Sequence, residues 1–181
     1  MRHRTPLVVT AAAVALIGGS ALPAMAGTTG TPTDTITTFA LTGGDLALSV
    51  PTNAGLDSKP AGQTAITGFL GTTSVTDLRG GTAPWTVTAG SGVFDLTTGT
   101  VATSKSTSVH YTAGALDNTG TAGSITVTSP GSTLITSPTS VLAPTNLSGN
   151  NFTSWDPALN VTMPASSLAG SYTGTVTTSI A

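Results

Sequence analysis

The sequence predicts an all-β protein: an antiparallel β-sandwich, of Ig-like or partly closed barrel form, behind a helical N-terminal signal peptide. Three observations predict it. After the first 26 residues threonine dominates, joined by Val, Leu and Ile, while Glu is absent and Lys is scarce. β-Branched side chains suit extended backbone, and the good helix formers are missing. Apolar and polar residues alternate over short runs punctuated by Gly, Pro, Asn and Ser. No helical stripe of useful length follows the N-terminus.

The chain opens with a charged head, Arg2 and Arg4, followed by the apolar run PLVVTAAAVALI and then Pro23-Ala24-Met25-Ala26. This is the order of a secretory signal, which places cleavage between Ala26 and Gly27. The apolar run is shorter than the roughly 20 residues of a membrane span, so the expected fate is export rather than anchoring. Residues 1–26 are therefore read as signal peptide, 27–35 as a flexible leader and 36–181 as a single β-sandwich domain. The expected location is outside the cell, secreted or wall-associated, with no membrane contact after cleavage.

Within the domain, TITTFALTGGDLALSVP reads as a hairpin. Thr37, Phe39 and Leu41 alternate before Gly43-Gly44, and Leu46, Leu48 and Val50 alternate after it. TNAGLDSKPAGQ is a loop. TAITGFLGTTSVTDLR supplies one or two strands, and PWTVTA supplies another with Trp85 and Val87 on one face. SGVFDLTT, SVHYTA and SITVTS follow as short strands. The proline-rich stretch from Ser129 to Asn151 reads as a loop or irregular edge. ALNVTMPA and YTGTVTTSIA close the chain, with Gly174 marking a bulge or a close approach. Eight to ten short strands suit a sandwich.

Composition narrows function. Beyond the signal, Lys59, Arg79 and Lys105 face seven aspartates, a net charge of about −4; this excludes nucleic acid as a partner. There is no cysteine, hence neither disulfide nor lipid-modified thiol. His110 and aspartates alone are a poor zinc set, and no calcium-loop spacing occurs. No G-x-S-x-G elbow is present, and the aspartates lie in no recognisable catalytic context. No cofactor, metal or enzymatic activity is expected.

The densest stretch is VTDLRGGTAPWTVT, residues 75–88. Asp77 and Arg79 stand two apart on extended backbone and so share a face, either as a binding pair or as an intramolecular one. Trp85 is in phase with Val87 and reads as core more than as a ligand platform. Trp155 follows the polar LSGNNFTS and reads as a loop–strand junction, as much site as core.

Val75, Asp77, Arg79 and Trp85, then Trp155, then Gly170, Tyr172, Gly174 and Val176 are similar in order to the motifs of WxL-domain proteins, of the actinobacterial type. Here the first motif is Trp85-Thr86-Val87 and the second Trp155-Asp156-Pro157, so both depart from Trp-x-Leu. That family consists of exported Gram-positive surface proteins. The resemblance implies noncovalent association with peptidoglycan or another cell-wall polymer, with Trp85, Trp155, Asp77 and Arg79 as binding residues and other surface proteins as further partners. An alternative is a structural or assembly protein pairing through strand edges, since the Thr-rich strands carry few edge charges. A secreted hydrolase is the third reading.

Overall fold

The computed structural model describes residues 36–97, 104–118 and 123–181. The signal peptide, its cleavage point at Ala26 and Gly27, and the leader 27–35 lie outside the described residues. Residues 40–181 form one compact unit.

The described residues are all-β and contain no helix. Ten strands have four residues or more: β1 (Leu46–Ser49), β2 (Ala65–Phe69), β3 (Thr73–Asp77), β4 (Val87–Ser91), β6 (Ser108–Thr112), β8 (Ser124–Thr128), β10 (Thr139–Ser148), β11 (Asn151–Trp155), β12 (Ala158–Thr162) and β14 (Val176–Ile180). Four two-residue strands complete the set: β5 (Asp95–Leu96), β7 (Leu116–Asp117), β9 (Thr133–Leu134) and β13 (Tyr172–Thr173). They pair antiparallel in the orders β1-β3-β11-β7, β14-β4-β10-β8, β2-β12-β6-β9 and β13-β5. The architecture is a β-sandwich and not a closed barrel.

Two of these sheets are joined at a corner by chains that bend from one into the other. β2 passes to β3 through Gly71, β6 to β7 through Gly114, and β11 to β12 through Asp156-Pro157; β12 pairs with β2 and β6, and β11 pairs with β3 and β7. Gly71 and Gly114 take φ of +89° and +77°, which side chains resist and glycine tolerates. Such corners let one strand serve two sheets.

Side chains obey the two-residue period. Val75 on β3, Val87 and Ala89 on β4, Val109 and Tyr111 on β6, and Leu159 and Val161 on β12 all point inward and are buried. The positions between them carry polar side chains that reach solvent: Thr76 on β3 is half-buried and Asn160 on β12 is exposed. Thr88 on β4 bonds Ser179 across the β4–β14 pair at 2.7 Å.

Three expectations change. The N-terminal hairpin does not form, and only its second half, β1, is a strand. The Gly44 amide donates to the Leu78 carbonyl at 2.7 Å, and a Cβ on Gly43 would run into the Arg79 carbonyl. These glycines serve close approach to the segment after β3, which takes β1 as its partner. The stretch 129–151 is a loop or edge only in part: it holds β9, which does end a sheet, and the ten-residue β10, an interior strand between β4 and β8. Its register shifts between Ser140 and Leu142 and again between Pro144 and Asn146, so Pro144 sits where the ladder is already broken. NFTSW is also a strand, β11, which the polar composition concealed. At Gly174 the expected close approach is to an aromatic ring, since a Cβ there would lie 2.7 Å from Phe94.

Candidate functional site

The stretch 75–88 builds a clamp. Asp77 closes β3 and is buried at 2% exposure. Its carboxylate accepts from the Arg79 amide at 3.1 Å, from Arg79 Nε at 2.9 Å and from Arg79 Nη2 at 2.9 Å. The side-chain hydrogen bond from Arg79 holds the Asp77 carboxyl below the usual carboxylate range, against the opposing effect of burial. Arg79 Nη2 also donates to the Ala83 carbonyl at 2.7 Å, bracing the Gly-Gly-Thr-Ala-Pro turn. That turn delivers Trp85, 1% exposed, to the interior beside Val87. The structure brings Asp77 and Arg79 together as a pair whose visible work is to shape the entry to β4.

Trp155 does stand at a strand–loop junction, but it faces the core. It ends β11, pairs with Thr73 and Leu116, and is 3% exposed. Its Nε1 donates to Tyr111 Oη at 2.7 Å inside the core. Trp85 Nε1, by contrast, is buried with no hydrogen-bond partner. Neither indole presents a face on which a ligand could stack.

Burial pushes the Tyr111 phenol up to about 12, and the bond from Trp155 offsets part of that rise. A raised pKa contributes stability that is complete below the ordinary tyrosine value, about 10, and disappears as pH climbs through the folded value. In a Tyr172→Phe background, the near-ultraviolet absorbance of tyrosinate is expected to appear late and together with unfolding. Absorbance that rises near the ordinary value of about 10, as in the unfolded chain, with the fold intact would contradict this burial.

The other candidate is a cleft of about 800 Å³. One wall is the segment 50–63, which contains the loop predicted from TNAGLDSKPAGQ at 52–63; the other is the segment 167–178, with Phe94 beside it. The floor is apolar, formed by Ile66, Leu70, Leu159, Val161 and Met163, while Asn53, Asp57, Lys59, Gln63 and Tyr172 supply polar groups. Asp57 is committed to Thr67 Oγ1 at 3.0 Å and to Lys59 at 3.6 Å. Sequence reading missed this cleft because its residues come from distant segments with no shared motif. The one available signal was a loop of a dozen residues, longer than most connections.

Asp57 is the sole carboxylate among the described cleft-lining residues, and His110 is not among them. His110 lies on β6 opposite Asn160 and Leu134. No cluster of three His, Cys, Asp or Glu suited to a metal ion occurs among the described residues. The arrangement offers an apolar trough with hydrogen-bonding rims, suited to holding an extended chain.

The fold and cleft define a β-sandwich with an open apolar trough. No family model, curated protein or solved structure matches the chain.

Proposed function

We propose that this is an exported surface protein that acts by noncovalent contact rather than by catalysis, and that its contact is assembly through an open strand edge. One observation carries the reading. β1 and β14 each end a sheet, each hydrogen-bonds a neighbour on one side only, and the two lie beside one another next to the cleft. Neither strand, LALS or VTTSI, contains a charge or a proline. Edges of this kind lack the usual guards against pairing with another chain. Among the described cleft-lining residues the sole carboxylate, Asp57, is already bonded within the chain, which favours a binding role over the paired carboxylates that hydrolysis needs. Light scattering on the purified protein should show mass rising with concentration; a strict monomer at every concentration removes the assembly reading.

A second reading, attachment to peptidoglycan or another wall polymer, rests on the ordered resemblance to WxL-domain proteins. With both tryptophans inside, the contact falls instead to the polar rim of the cleft, with Asn53, Lys59 and Gln63 as donors to sugar hydroxyls or wall peptide and Tyr172 Oη, which donates to the Leu168 carbonyl, as an acceptor. Hydrogen bonding of this sort survives salt better than charge pairing does. The protein should co-sediment with purified peptidoglycan at high salt. Protein that stays in the supernatant at every salt concentration removes the wall role.

A further inference from the structure

The segment before β1 is apolar and belongs to no sheet. Ile36, Phe39 and Leu41 are 90%, 88% and 90% exposed, and no residue from 36 to 45 belongs to a strand. Side chains of this size are seldom left wholly in water without a partner. Phe39 and Leu41 are two apart, so on extended backbone they project from one face. Residues 36–42, ITTFALT, carry no charge, no proline and no glycine. The hairpin that would pair them with β1 does not form, because Gly43 and Gly44 are held against Leu78 and Arg79.

The same chain has an acceptor of matching chemistry. The cleft has an apolar floor, and Val50 and Leu168 at its walls are themselves 44% and 50% exposed. Thr175, Val176 and Thr178 line it, so β14, whose outer edge is unpaired, forms part of its wall. A seven-residue strand spans about 23 Å, enough to cover the five residues of β14, which span about 17 Å. The arm's own C-terminal end is fixed, because Gly44 is held against Leu78; a second copy offers the same cleft without that constraint.

We propose that residues 36–42 of one molecule insert into the cleft of a second copy, pairing with the free edge of β14 and burying Phe39 and Leu41 on the cleft floor. This is strand addition: main-chain hydrogen bonds supply the pairing, and alternate side chains fill the trough. Because donor and acceptor are different surfaces, the contact is head-to-tail and propagates into chains rather than closing as a twofold dimer. The inference rests on the edge-assembly reading above and names the element that does the pairing.

The absence of native cysteine makes the test direct. A Leu41→Cys protein mixed with a Thr178→Cys protein should form an intermolecular disulfide under mild oxidation. Mixed with Thr126→Cys, on β8 at the opposite edge of the same sheet, it should not. A Phe39→Asp/Leu41→Asp protein should keep the wild-type circular dichroism. Its midpoint concentration for assembly should rise by about 100-fold or more, since two buried apolar side chains are lost from the contact. Cross-linking of equal yield at the two edges overturns the proposal. Wild-type-like assembly by the double aspartate protein overturns the arm but leaves edge pairing standing. A wild-type protein that is monomeric at every concentration overturns both.

Discussion

Trp85→Ala is expected to lower stability by about 3–5 kcal/mol, the usual cost of emptying a large aromatic site in a packed core. Trp85 is 1% exposed and precedes Val87 and Ala89, each at 0%, on a strand flanked by β14 and β10. Little can collapse into the space, because both neighbours are fixed by the sheet ladder. Against a typical total of about 5–15 kcal/mol, such a loss leaves a marginal fold. Phenylalanine at the two tryptophan positions separates packing from hydrogen bonding. Trp85 Nε1 has no partner, so Trp85→Phe removes a buried orphan along with part of the ring. Trp155→Phe breaks the bond to Tyr111 Oη and leaves that hydroxyl without its donor. Trp155→Phe should therefore be the costlier of the two, by about 1 kcal/mol. Urea unfolding below the assembly concentration measures all three. An alanine variant with the wild-type midpoint would show that the indole is not part of the core.

Period-two alternation made much of this fold legible. The strands carrying Val75, Val87, Val109, Val127 and Val161 stand where Thr/Val patterning put them. The failures have physical causes. FALT alternates like a strand, yet alternation reports only what a segment could bury and does not say which neighbour completes it. NFTSW and the Pro144 region look like loops because polar and proline residues are averaged over a window; the Asn151 amide nitrogen is satisfied locally, donating to Ser148 and Gly149 carbonyls at 3.0 and 2.9 Å, while its Oδ1 is buried without a partner. The cleft was the least visible feature. Its walls are separated by more than a hundred residues, and nothing in the local pattern of Asp57 or Tyr172 links one to the other.

Arg79→Met should cost about 2–3 kcal/mol, because it leaves a buried carboxylate with only the backbone amide of residue 79 as donor. The figure is set at the lower end for breaking a buried pair, since the Arg79 side chain is itself 30% exposed and partly screened. Methionine keeps much of the apolar stem, so the loss reports the guanidinium and its bond to the Ala83 carbonyl. The pH dependence identifies the charge. In the wild type the Asp77 carboxyl titrates below its ordinary range because of the Arg79 hydrogen bond. Its stabilisation is therefore full above the unfolded value of about 3.9 and is lost as pH falls through the depressed folded value. Without Arg79 the buried carboxyl favours its proton, so the deficit of the variant should be greatest at neutral pH and shrink below about pH 4. Asp77→Asn tests the same pair from the other side, and its deficit should shrink over the same acid range. Unfolding midpoints measured from neutral pH down to about pH 3 decide the matter: a deficit constant across that range would mean that Arg79 acts through packing and the Ala83 bond alone, with the turn before Trp85 indifferent to the charge on Asp77.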